Sequence, residues 1–117
     1  MTYNPTTNVQ TWSQQTAAAQ WSARDSPGAD SYTSSQLGVE IITMAGGYTT
    51  TATYGGNNDV WASSDLGVSW VRVSAAAPWQ VRDHGLLLAT PAGVLIVTAG
   101  GFGEYQTVST CADITAS

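Results

Sequence analysis

At 117 residues the chain is at most one ordinary domain, long enough for a hydrophobic core. Only 9% of its residues are charged, none is lysine and the net charge is −5, which excludes a phosphate-tracking surface, because nucleic-acid affinity rests on clustered Lys and Arg. The single cysteine, Cys111, excludes an intrachain disulfide, a cysteine zinc cluster and a CxxC redox pair, and no run approaches the ~18 apolar residues of a membrane helix.

The polar start Met1-Thr2-Tyr3-Asn4-Pro5 is not a secretory signal, and the N-x-[ST] triplet Asn4-Pro5-Thr6 carries the proline that disqualifies glycosylation. Residues 9–16 are predicted as a short strand. An alanine-rich connection follows, read as a loop because Pro78 interrupts its second occurrence. Asp25-Ser26-Pro27-Gly28 is turn chemistry. After it come a polar strand at 31–36, a turn at Leu37-Gly38 and a β-branched strand of buried type at 39–44, stopped by Gly46-Gly47. The Thr-rich stretch 49–54 reads as a solvent loop, 59–63 as a strand and 70–74 as the next. Further strands are predicted at 84–90, 94–98 and 105–114, with Gly100-Gly101 between the last two.

The chain repeats itself. Residues 12–25 lie over 70–83 without a gap, a shift of 58 positions, so that Trp12 and Trp21 fall on Trp70 and Trp79, and Arg24 on Arg82. The first copy places Ser26 where the second has His84. The run ending at Gly46-Gly47 likewise matches the one ending at Gly100-Gly101.

Between two predicted strands lies Ser63-Ser64-Asp65-Leu66-Gly67-Val68-Ser69-Trp70, an S-x-D-x-G-x-x-W pattern. An Asp carboxylate can accept backbone N–H groups of a turn, Gly supplies a positive φ, and Trp anchors the turn on the sheet. This resembles the Asp-box of sialidase-like propellers. With the glycine pairs and Asn58-Asp59-Val60-Trp61, it is similar to the kelch-type repeat of galactose-oxidase-like propellers. The resemblance implies an all-β chain of two four-stranded antiparallel blades, with Ser63, Asp65, Gly67 and Trp70 as a structural box away from any catalytic face. Gly46, Gly47, Gly100 and Gly101 are then the kelch glycines. Residues 26–74 form the first blade, 84–114 supply three strands of a second, and 9–16 are a fourth strand without its blade. Propellers close with about 4–8 blades, so other copies or flanking sequence must complete the ring or stack. Strand exchange into a neighbour's last blade, giving a homo-oligomer or a filament, is the expected route.

No enzyme constellation is legible. His84 is the only histidine, Ser-His-Asp chemistry needs a placed serine that the sequence does not identify, and a sialidase-type arginine cluster needs more than Arg24, Arg72 and Arg82. Asn57, Asn58, Asp59 and Asp65 do not have EF-hand spacing and read as turn caps rather than calcium ligands. No metal or cofactor is expected. Trp12 and Trp70 are expected in blade cores. Trp21, Arg24, Trp79, Arg82 and His84 are the candidates for either interblade packing or a ligand surface. Cys111 is expected as a buried thiol, with an interchain disulfide as the alternative. The functional expectation is a non-catalytic, extracellular or surface-displayed assembly module, and the alternative is a carbohydrate-binding lectin whose sites oligomer symmetry multiplies.

Overall fold

Short runs of β-branched and aromatic residues, separated by Gly, Asn, Asp and Ser turns, favour the strand. The computed structural model describes residues 2–50, 56–97 and 110–113. Among them no helix occurs; the alanine-rich segments are loops. The strands are β1 (Thr2–Asn4), β2 (Val9–Thr11), β3 (Gly28–Thr33), β4 (Glu40–Ala45), β5 (Val60–Ser63), β6 (Val71–Ser74), β7 (Leu87–Ala89), β8 (Val94–Val97) and β9 (Thr110–Asp113). They form a β1-β2 hairpin, a four-stranded sheet β3-β4-β5-β6 and a three-stranded sheet β7-β8-β9, with every pairing antiparallel.

The four-stranded sheet is a plain meander. Tyr32 opposes Ile41, Ile42 opposes Ser63 and Ala62 opposes Val71, and the β5–β6 ladder shifts register between Val60 and Trp61. Its core face gathers Tyr32, Ile41, Ala45 and Val60, and Ala77, Trp79 and Leu87 pack onto them from the second alanine segment and from β7. The core therefore lies where the second alanine segment and β7 meet the four-stranded sheet. Hydrogen bonds tie that seam as well: the β7 amide of Ala89 donates to Asp30 Oδ2 of β3 at 2.7 Å.

Several expectations are corrected. Residues 9–16 are not one strand: only Val9–Thr11 is, and it pairs with Thr2–Asn4, a segment too short and polar for its pattern to show as a strand. The predicted strand at 31–36 begins and ends earlier, at Gly28–Thr33, because the turn starts at Ser34, whose hydroxyl accepts the Leu37 amide. The strand expected at 84–90 is Leu87–Ala89, since His84 takes a positive φ of 51°. Trp12 is not in a core; it is 78% exposed. Of the strand expected at 105–114, Thr110–Asp113 is described. Gly100 and Gly101, most of the loop at 49–54 and the Cys111 side chain lie outside the described residues.

Candidate functional site

Polar chemistry concentrates where the linkers 22–27 and 80–86 meet the loops leaving β4 and entering β5. Gly46 and Gly47 turn the chain out of β4 at φ 70° and 96°. A Cβ on Gly46 would stand 2.8 Å from the Arg82 carbonyl, and one on Gly47 2.8 Å from the Asp25 carbonyl, so the pair admits close backbone contact as well as the turn. The Gly47 amide donates to the Arg82 carbonyl, the Arg82 amide to the Asn57 carbonyl, and Asp25 and Tyr48 exchange both backbone hydrogen bonds.

Arg24 enters this frame from the first linker. Its Nη1 donates to the Gly46 carbonyl at 2.8 Å and to Asp59 Oδ1 at 2.6 Å, and Nη2 reaches Asp59 Oδ2 at 2.9 Å. The guanidinium is only 2% exposed, so this is a two-pronged interior pair. Trp61 Nε1 adds a third donor to Asp59 at 2.8 Å. Burial pushes the Asp59 carboxyl up, but the Arg24 and Trp61 hydrogen bonds and the Arg24 charge outweigh it and hold it below its ordinary value. Asn57 donates to the Gly47 carbonyl and Asn58 to the carbonyls of Ala77 and Trp79. The asparagines and Asp59 thus hold neighbouring chain. Among the described residues no group of three His, Cys, Asp or Glu is placed to hold a metal ion.

Ser26 and His84, one repeat apart, meet at the same seam. Both are in the left-handed region, at φ 49° and 51°; the His84 amide donates to the Ser26 carbonyl at 3.0 Å, and Ser26 Oγ lies 3.0 Å from His84 Nε2. Asp83 Oδ2 is 3.4 Å from His84 Nδ1. This is the order of groups with which a histidine can take a serine proton. The pair sits open to solvent. The histidine side chain is 66% exposed. Pro27 follows the serine and has no N–H to offer a developing oxyanion.

The Ser63-to-Trp70 turn closes the β5–β6 hairpin. Leu66 and Gly67 take φ of 59° and 88°. Ser63 Oγ donates to Asp65 Oδ1 and accepts the Gly67 amide, both at 2.8 Å. Asp65 accepts the Ser69 amide at 2.9 Å and the Ser69 hydroxyl at 2.5 Å, while Trp70 Nε1 donates to the Gly67 carbonyl. The Ser69 and Ser63 hydrogen bonds hold the Asp65 carboxyl at about 2.

The aromatic candidates separate. Trp79 is 4% exposed and belongs to the core. Trp21 is half-buried, edge-on to Trp70 at 4.4 Å and to Trp61 at 6.2 Å, with the Arg72 guanidinium 6.0 Å over the Trp61 ring. Arg82 is buried, and its Nε donates to the Gln80 carbonyl. Of the five residues singled out as ligand or interblade candidates, Trp21 and His84 keep substantial exposed surface. Sequence reasoning missed the Arg24–Asp59 pair and the Ser26–His84 contact. The second had a signal, the 58-residue offset that sets Ser26 in the place of His84.

Comparison with protein-family models, with curated proteins and with solved structures returned no match.

Proposed function

We propose that the chain is a non-catalytic, kelch-like propeller repeat module that works by assembly, self-associating through completion of its sheets by a strand of another copy, in an extracellular scaffold. One observation carries this reading: the groups able to do chemistry are engaged in holding the chain together. Arg24 clamps Asp59 and the Gly46 carbonyl within the first copy of the repeat, and across copies the Gly47 amide binds the Arg82 carbonyl and Ser26 meets its own repeat counterpart His84. Repeat folds are stabilised in this way, by contacts between neighbouring units that one unit alone does not bury. The test is native mass in dilute solution, with and without reductant. Discrete multiples of the chain or a ladder of them support the reading. A monodisperse single chain, or turnover of a glycoside, ester or oxidisable alcohol by the pure protein, overturns it.

Carbohydrate binding is the second reading, and a specific observation moves it to a new place. Trp79, Arg24 and Arg82 are too buried to form a platform, whereas Trp21, Trp61 and Trp70 make a half-exposed indole cluster beside Arg72. Such rings present flat apolar faces with polar edges. A glycan array probed with the native protein and with Trp21→Ala tests it; no signal, or an unchanged signal in the variant, removes it.

A further inference from the structure

We infer that residues 12–16 are a docking strand that adds itself, antiparallel, to the β9 edge of a second copy of this chain, with Ser13 opposite Thr110 and Trp12 opposite Cys111. This rests on the assembly reading above and fixes its strand and its register.

Two sequence landmarks and one ladder agree. Gly46 lies on Gly100 at an offset of 54, and Asp65 of the box lies on Asp113 at an offset of 48. Those offsets carry the Ile42–Ser63 pair of β4–β5 onto Ile96 and Cys111, which are the partners found in β8–β9. β9 is therefore the counterpart of β5. β5 carries β6 on its other side, with Ala62 opposite Val71, whereas among the described residues β9 pairs with β8 alone. The counterpart of β6 is set by the 58-residue shift that lays Trp12 on Trp70, which makes it residues 13–16. Moving Ala62–Val71 by those offsets gives Thr110–Ser13, and continuing that register one step beyond the paired residues of β5 and β6, to Ser63 and Trp70, sets Trp12 opposite Cys111.

The segment is prepared for pairing. Residues 12–16 belong to no described ladder, and 12–15 are exposed. Their side-chain hydrogen bonds stay local, Gln15 to the Ser13 hydroxyl and Thr16 to the Ala18 carbonyl. Trp12 is exposed, whereas its counterpart Trp70, beside a complete β5–β6 ladder, packs on Trp21. Nothing in Trp12-Ser13-Gln14-Gln15-Thr16 is charged and none of it is proline, the devices that normally keep a free strand from adding to a sheet edge. Strand addition satisfies backbone donors and acceptors on both partners at once.

Opposed residues on antiparallel strands hold their Cβ atoms about 4.5–5.5 Å apart, near disulfide reach, and the next residue along turns to the other face. Trp12→Cys and Ser13→Cys chains, each half 15N-labelled and mixed before mild oxidation, read the register by non-reducing electrophoresis and peptide mapping. Most of the Trp12→Cys chain is expected in species joined between copies from position 12 to Cys111, and most of the Ser13→Cys chain is expected unlinked. Equal linking in both variants, or linking within one copy, overturns the docking register; if native mass still shows multimers, the assembly reading survives. A single-chain native mass removes both. Alternate amides of an added strand face its partner, so of Gln14→Pro and Gln15→Pro in this exposed segment one deletes a ladder donor; at least one of the two is expected to abolish multimers with unchanged far-UV circular dichroism, and multimers persisting in both also overturn the inference.

Discussion

Ser26 Oγ and His84 Nε2 lie 3.0 Å apart although 58 residues separate them, and both residues hold the same left-handed backbone conformation. One position of the repeat thus meets its own counterpart across the seam. The contact reads as a repeat-to-repeat tie despite the adjacent Asp83 carboxylate, because the histidine is open to solvent and Pro27 removes the amide that would follow a nucleophile. A fluorophosphonate probe is therefore expected to leave Ser26 unmodified after prolonged incubation at pH 7–8. Peptide mass spectrometry decides the matter: an adduct on Ser26 that Ser26→Ala and His84→Ala abolish would make this an acyl-transfer site and end the non-catalytic reading.

The Arg24–Asp59 pair is expected to be asymmetric under mutation. Removing the arginine alone leaves the partly buried carboxylate with the Trp61 Nε1 donor and its own backbone amide, so the loss is expected below the about 3–5 kcal/mol that breaking a fully buried pair from one side costs. In Arg24→Met with Asp59→Leu, both charges go together, and the double variant is expected to be more stable than Arg24→Met alone. Urea denaturation of the two proteins checks the order; a double variant less stable than the single one contradicts it.

The all-β character and the turn from Ser63 to Trp70 were legible, the turn because its hydrogen bonds close within a few residues. Gly46-Gly47 could be read as the end of a strand, but not its close approach to the Arg82 and Asp25 carbonyls. The seam was less legible. Whether Arg24 faces a ligand or Asp59 depends on a partner 35 residues away, and composition says nothing of it. Trp12 was misplaced for a related reason: its repeat counterpart is packed, but packing needs a neighbour that the repeat alone does not supply. The β1-β2 hairpin escaped because Thr2-Tyr3-Asn4 is too short for a period of two to show.

Trp12 and Trp79 should separate stability from assembly. Trp79 is a core residue, and truncating a buried tryptophan to alanine costs about 3–5 kcal/mol. Trp12→Ala removes an exposed ring and is expected to change single-chain stability by no more than about 0.5 kcal/mol. Under the docking register it should nevertheless lower the multimer fraction. Thermal unfolding and native mass on the same samples check both halves; a large loss of stability on Trp12→Ala would place that ring in a core of the single chain.

Leu66 sits at φ 59° in the box turn with its side chain exposed, a conformation that costs an L-residue roughly 1–2 kcal/mol. Leu66→Gly removes that strain, while the greater freedom of glycine in the unfolded chain returns about 0.4–1 kcal/mol. A net gain of a few tenths to about 1 kcal/mol is expected, measured as a rise in Tm of a few degrees. A fall in Tm would show that the leucine side chain holds the turn.

Acid should loosen the four-stranded sheet from two places at once. Asp59 and Asp65 both have carboxyls held below their ordinary range, Asp65 at about 2. A carboxyl depressed by folding binds its proton more readily in the unfolded chain, so its contribution is complete above the unfolded value of about 3.9 and is lost as pH falls toward the folded one. Chemical denaturation at pH 6 and pH 5 is expected to give similar midpoints, with a decline that begins below about pH 4.5 and continues to pH 2. In Asp65→Asn the decline should be shallower, since one of the two groups no longer titrates, while Asp65→Asn with Asp59→Asn should flatten it further. An unchanged slope in both variants would mean that other carboxylates set the acid limit, and that the hydrogen bonds to Asp65 and Asp59 are no stronger in the folded chain than those water offers in the unfolded one.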